Sequence, residues 1–287
     1  MHRLGAVILA SALVLVLPVP ARAAVVPPAA GAPARLGGPV VSIAHRGASA
    51  YAPENTLASF RLAARMGADV TELDVQQTRD HKLVVVHDET LKRTTNVEKV
   101  YPKLKPWRVK DLTLKQIKKL DAGSWFGRTY KGERIPTLAQ ALRTVADSGT
   151  GMLLELKRPD LYPGMTDRVI ATIKTDPRWR DSDRLTVQSF SWRYLKPVHE
   201  RLRSARTAAL GKPRADQLFG LRWYADAVHP DHRTVTPEYA REVHSQWMDL
   251  YAYTINDRAT MRRMISYGVD GIVTNRPDVL ARTLRRG

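Results

Sequence analysis

The chain has 287 residues and no cysteine, so its fold must rest on a large core without disulfide support. Its formal net charge is +18, an excess that attracts anions. The basic residues are spread along the chain with no zinc-finger, RNA-binding or helix-turn-helix signature, which argues against nucleic acid. Phosphate-bearing substrates, lipid head groups or an anionic cell wall remain as partners of such a surface.

From the N-terminus, Arg3 precedes an apolar run over residues 4–19, and Ala21-Arg22-Ala23 gives the small-x-small pattern that a signal peptidase reads. The run falls short of the about 20 apolar residues of a membrane-spanning helix. Residues 1–23 are therefore expected to be a signal peptide, and the processed chain to be secreted and extracellular with no stable membrane insertion. Residues 24–39, rich in Pro, Ala and Gly, read as a flexible linker, and 40–287 as one domain. Cleavage would leave about 264 residues and a charge of about +16, close in length to the ~250 residues of one (β/α)8 barrel.

Residues 40–44 predict a strand, and 56–66 a helix with Leu57, Phe60 and Ala64 on one face and Gly67 as its stop. Further strands are expected at 70–75, 83–86, 152–156, 185–188, 206–210, 225–228, 250–255 and 271–273. Helical patterns at 138–146, 166–175, 192–202, 237–246 and 259–267 separate most of them. This alternation argues for a parallel α/β fold. Nine strands are one too many for an eight-stranded barrel. Too little chain separates Val75 from Leu83 for a parallel crossover, which needs about a dozen residues, so those two strands pair as an antiparallel hairpin. The expected fold is an α/β TIM barrel with a β-hairpin flap and a small insertion after strand 2. The Lys-rich stretch 92–135 reads as an irregular loop over the barrel mouth, helical at 115–120.

The chemistry gathers at strand ends. His45 closes the first strand, where a barrel carries its active site. Glu72 and Asp74 are two apart on the second strand and face alike. Two like charges on one buried face are costly unless a cation or basic side chains compensate them. Glu155 ends another strand, in Leu153-Leu154-Glu155-Leu156-Lys157. Three oxygen ligands from two strands suit one hard divalent cation, Ca2+ or Mg2+. The hairpin returns His87 toward this cluster. Singly, each residue has a plainer reading: Glu155 and Lys157 as an ion pair, Asp74 as a turn cap, His45 as a satisfied interior histidine. Together they would have to converge by accident.

A series of motifs runs in order along residues 40–280. It comprises Ile43-Ala44-His45-Arg46-Gly47, Pro53-Glu54-Asn55-Thr56, Gly67-Ala68-Asp69, Glu72-Leu73-Asp74-Val75, His87-Asp88, Leu91-Lys92-Arg93-Thr94-Thr95, Leu120-Asp121-Ala122-Gly123, Ile135-Pro136-Thr137-Leu138, Leu154-Glu155-Leu156-Lys157, Gln188-Ser189-Phe190 and Gly268-Val269-Asp270-Gly271. The series resembles the glycerophosphodiester phosphodiesterases. The resemblance implies a (β/α)8 barrel that binds one divalent cation, Ca2+ or Mg2+, through Glu72, Asp74 and Glu155. It implies His45 and His87 as the acid-base pair, Arg46 and Lys157 as phosphate contacts, and a small-molecule glycerophosphodiester as substrate. The family route has the substrate's own 2-hydroxyl attack first, and the products are glycerol 3-phosphate and an alcohol.

Phe190 and Tyr253 are expected to pack against substrate, Tyr253 standing where many members carry Trp. Asn275 replaces a frequent Asp; it is expected to shape the loop after the last strand and is assigned no chemistry. The 101–107 segment is longer than usual and could alter leaving-group choice. His81, His199, His229, His232 and His244 match no motif and default to surface or packing. Two other readings stand beside the leading one. A related barrel phospholipase of D or C type would act on lysophospholipid or membrane lipid. A catalytically silent barrel would bind cell wall, though it has no reason to keep a costly acidic cluster.

Overall fold

The structure, a computed structural model, describes residues 38–285. The expected signal peptide and all but the last two residues of the expected linker lie outside the described residues.

Nine strands form one sheet: β1 Val41–Ala44, β2 Val70–Gln77, β3 Leu83–Val85, β4 Gly151–Leu156, β5 Leu185–Ser189, β6 Arg206–Leu210, β7 Ala227–His229, β8 Asp249–Ala252 and β9 Gly271–Thr274. Eight of them are parallel neighbours in the order β1-β9-β8-β7-β6-β5-β4-β2, and β1 pairs with β2 to close the barrel. β3 pairs antiparallel with β2, Val75 opposite Val85, and is no stave. The hairpin expected from the short connection is present.

The outer helices bury one apolar stripe each against the strands. α1 (Leu57–Arg65) starts at Thr56, whose side chain accepts from the Ser59 N–H, and puts Phe60 and Ala63 inward. The insertion carries two short helices, α2 (Val97–Val100) and α3 (Leu114–Ile117). α4 (Leu138–Ser148) has the same kind of cap at Thr137 and stops at Gly149, which takes φ +79°. There follow α5 (Met165–Lys174), α6 (Pro177–Arg180), α7 (Leu195–Arg201), α8 (Ala215–Leu221), α9 (Pro237–Ser245), α10 (Arg258–Ser266) and α11 (Pro277–Leu284). Three of these, α6, α8 and α11, were not expected from sequence. α8 shows only Leu218 and Leu221 to the core, too short a pattern to read, and α11 hides behind Pro277 at its first turn.

The insertion is less irregular than expected. Leu91, Val97, Trp107, Val109, Leu112, Ile117 and Leu120 form their own apolar cluster beneath it, with Val84 and Val86 of the hairpin. It is fastened to the barrel mouth by Tyr130, whose hydroxyl donates to the Tyr51 carbonyl at 2.8 Å, and by the Glu89–Arg158 ion pair at 2.7 Å. Trp107 turns inward, its Nε1 donating to the Tyr101 carbonyl at 2.7 Å. Inside the barrel, Ile43, Leu153 and Val273 form an apolar layer. The polar site sits toward the C-terminal ends of the strands.

Candidate active site

The turn after β1 is strained for a purpose. Arg46 takes φ +56°, a left-handed conformation uncommon for a non-glycine residue. It is held there by its backbone N–H, which donates to Glu72 Oε2 at 2.6 Å. Gly47 follows at φ +80°, and a Cβ on it would lie 2.6 Å from the Ser59 backbone carbon, so glycine is required. His45 Nδ1 lies 2.6 Å from Asn275 Oδ1. An amide oxygen only accepts, so this pairing assigns the proton to Nδ1 and leaves the lone pair on Nε2. Burial, and then the neighbouring Arg46, push the His45 pKa down to about 4. Its imidazole is neutral at neutral pH.

Glu72 and Asp74 project from β2, and Glu155 stands opposite Asp74 on β4. One oxygen of each lies within 4.8 Å of the others, and all three residues are buried. Burial and then the two neighbouring acids raise the Glu72 pKa well above its usual range. Burial and then Asp74 raise Glu155 to about 7 against the pull of Lys157. Burial also opposes ionisation of Asp74, but Arg46 and Lys157 bring it down to about 2. Lys157 Nζ is 2.8 Å from Glu155 Oε1 and 3.8 Å from Asp74 Oδ1. The plain ion pair between Glu155 and Lys157 is thus present, yet it does not balance the cluster. Asp74 Oδ1 is sealed from solvent without a hydrogen bond. Three buried carboxylates, one with an orphaned oxygen, fit a hard cation with oxygen ligands.

Asn55, also left-handed at φ +58°, clamps Asp74. Its Nδ2 donates to Asp74 Oδ2 at 2.7 Å, and the Asp74 N–H donates to its Oδ1 at 3.2 Å.

His87 enters from the flap. Its Nδ1 lies 2.7 Å from Asp88 Oδ1. Arg93 Nε donates to Asp88 Oδ2 at 2.6 Å, and the two Arg93 Nη atoms reach both Glu54 oxygens at 2.7 Å. Glu54 in turn accepts from Arg46 at 2.9 Å. One chain of charged hydrogen bonds therefore runs from His87 to Arg46. The His87 hydrogen bond, and then Arg93, hold Asp88 ionised well below the carboxylate range. The flap backbone is held by Gln76, whose Nε2 donates to the carbonyls of Val86, His87 and Asp88 at 3.0, 2.9 and 2.7 Å. Tyr162 fixes Gln76 by donating to its Oε1 at 2.7 Å.

His45, Arg46, Glu72, His87, Glu155, Lys157, Phe190 and Tyr253 all line one cavity of about 160 Å³, with Gln188 among them. Asp74 stands behind its wall. Phe190 meets Tyr253 edge to face, with centroids 6.5 Å apart. No residue of the 101–107 segment lines this cavity among the described residues. A roomier groove beside Arg61, Arg65 and Asp147 lies on the outer surface between α1 and α4 and carries no such cluster.

Reading the sequence missed several residues. Asn275 is the main correction: given no chemistry, it bonds His45 directly, because the loop after β9 turns back across the mouth. Glu54, Asn55 and Asp88 were visible in motifs without a role. Arg93 likewise stood in a motif, Leu91-Lys92-Arg93-Thr94-Thr95, with no role assigned. Of the other histidines, His244 bonds Asp270 at 2.8 Å and His232 the Tyr253 carbonyl at 3.1 Å. His229 is inside the barrel, not on its surface.

Residues 45–279 match the model of the glycerophosphoryl diester phosphodiesterase family. A glycerophosphodiester phosphodiesterase of Bacillus subtilis is 38% identical over 257 residues, spanning 84% of this chain and 85% of its own. One from Caldanaerobacter subterraneus is 39% identical over 251 residues, 85% of this chain and 98% of its own. In structure, an Oleispira antarctica phosphodiesterase, solved with the product sn-glycerol-3-phosphate, superposes with a TM-score of 0.77 at 28% identity. That match covers 86% of this chain and 97% of the other. A glycerophosphodiester phosphodiesterase from Agrobacterium tumefaciens gives 0.70 at 29% identity, over 85% and 99%. With the barrel, the acidic cluster and the full run of motifs in register, the chain belongs to the glycerophosphoryl diester phosphodiesterase family and is a phosphodiesterase.

Proposed function

We propose that the enzyme hydrolyses glycerophosphodiesters to glycerol 3-phosphate and an alcohol, with His45 and His87 moving the protons and a divalent cation at Glu72, Asp74 and Glu155. The observation that supports it most is the convergence of both histidines and the buried acids on one cavity.

A phosphodiester is anionic and repels nucleophiles. The cation, when bound, supplies positive charge that offsets this repulsion. Arg46 and Lys157 line the same cavity and bind the phosphoryl oxygens, adding charge stabilisation as the transition state forms. His45 is the base: its Nδ1–H is fixed by Asn275, so Nε2 is free to take a proton from the attacking hydroxyl. His87 is the acid: Asp88 accepts its Nδ1–H and orients the ring, whose Nε2 gives a proton to the departing alkoxide. Phe190 and Tyr253 wall the cavity and pack against the substrate. The oxygen-only ligand set suits Ca2+ or Mg2+. The apolar N-terminal run with Ala21-Arg22-Ala23 supports export, so the reaction takes place outside the cell membrane.

The test is glycerol 3-phosphate release from a panel of deacylated phospholipids, with and without chelator, for the parent, His45→Ala and His87→Ala. Release by the parent, falling by roughly 10²–10⁴ in either variant, is expected. No release from any diester would sink the reaction, and undiminished release after thorough chelation would sink the cation.

A further inference from the structure

His229 is the one histidine at a strand end that the mechanism above leaves without work. It is fully buried at the end of β7 and stacks on Tyr251, centroids 4.8 Å apart at 16°. Its Nδ1 lies 2.7 Å from Gln188 Oε1. Gln188 is on β5, two strands away, in register with Glu155 on one side and Ala208 on the other. On the intervening β6, Ala208 stands opposite Gln188 and Leu210 opposite His229. Gln188 lines the catalytic cavity.

The amide of Gln188 has one acceptor end and one donor end. Its Oε1 is taken by the imidazole N–H, since Oε1 only accepts. The planar amide then turns its NH2 away from His229, toward the cavity beside Glu155. With the proton on His229 Nδ1, this orientation is the same whether or not Nε2 is also protonated. Burial, and then Arg206, in any case keep it neutral, with a pKa of about 3. His229 Nε2 is left sealed without a partner. An orphaned polar atom in a barrel core is a cost, which the packing alternatives, Leu or Phe, would avoid.

We propose that His229 is a positioning residue that locks Gln188 with its amide N–H groups facing the cavity, where Gln188 donates a hydrogen bond to an oxygen of the bound glycerophosphodiester. Gln188 touches substrate; His229 acts only through it. The inference rests on the glycerophosphodiesterase reading and adds a substrate contact to it.

A double-mutant cycle on the full chain with added divalent cation tests this. Q188L and H229L are each expected to lower kcat/KM by roughly tenfold, the worth of one hydrogen bond to an ionised group. The double variant should lose no more than Q188L alone, and H229N, which keeps an N–H near the Nδ1 position, should recover most of the loss. Losses that multiply in the double variant, or Q188L turning over like the parent, would overturn the proposal. A second readout needs no His229 variant. The Gln188 side-chain amide signal in NMR, assigned by its absence in Q188L, should shift when sn-glycerol 3-phosphate is added, and an unmoved signal counts against the contact. A parent that releases no glycerol 3-phosphate defeats the glycerophosphodiesterase reading itself. An active parent with an indifferent Q188L defeats only the inference drawn from Gln188.

Discussion

At the N-terminal end of the barrel, Asp69, Asp226 and Asp270 each stand one residue before a strand. Each accepts the backbone N–H of the second residue of the neighbouring strand, Ser42, Thr207 and Leu250, at 2.8 Å. Each also donates its own N–H to that same residue's carbonyl, at 3.0, 2.7 and 2.8 Å. At the C-terminal end, Glu72, Asp74 and Glu155 crowd one another, and Asp74 keeps a bare oxygen. Both ends place carboxylates on strands of one parallel barrel, or just before them. The lower set is satisfied within the protein and pins strand to strand. The upper set is not satisfied within the protein. In barrels of this class the lower face serves stability and the upper one chemistry.

The largest effect should come from breaking the upper set. Glu72→Gln keeps an acceptor for the Arg46 N–H but removes a charge from the cluster. Turnover should fall by roughly a thousandfold or more, several kcal/mol of transition-state stabilisation. Its melting temperature, measured in chelator, should hold or rise, because a buried like charge is gone. A fall in stability would erase the contrast between the two ends.

The converse variant is Asp226→Ala. It strands the Thr207 N–H and should destabilise the fold by about 1–3 kcal/mol in denaturant titration while leaving kcat unchanged. A loss of kcat in a well-folded Asp226→Ala protein would show that the lower end also serves turnover.

Arg93 sharpens the comparison from the mouth. It is half exposed, so Arg93→Gln should cost little stability, within about 0.5 kcal/mol. Cutting the link between Glu54 and Asp88 should still lower kcat by about tenfold, with KM changed less, because it frees His87 and Arg46 to move. Equal losses in kcat and stability would make Arg93 merely structural.

The smallest effect concerns pH. The hydrogen bond to Asp270 raises the His244 pKa above its usual 6.5. The stability this pair contributes is fully present below pH 6.5 and is lost as pH rises through the raised value. The parent should therefore out-melt His244→Asn most clearly near about pH 5.5, and the gap should close by about pH 9. A gap that widens with pH would refute the pairing.

Much of this was legible from residues alone. The hairpin followed from chain length between Val75 and Leu83, since a covalent limit on reach needs no tertiary information. Glu72 and Asp74 facing one way followed from the strand period of two. Strand bounds shifted by up to three residues, most at β8, which ends at Ala252 and not at residue 255. The strand expected at 225–228 in fact begins at Ala227 and takes in His229.

By itself, then, the sequence determined the strand-helix alternation, the antiparallel flap and the pairs of side chains that share a strand, because these depend on local periodicity and chain reach. Only the tertiary structure decided which distant residues meet. Closing the barrel places β9 beside β1 and so brings Asn275 to His45, 230 positions earlier. The insertion brings Arg93 to Glu54, and the strand order brings His229 to Gln188 across β6. Such contacts are set by strand order and register. No local pattern encodes them, and they separate a list of motif residues from a site with oriented protons.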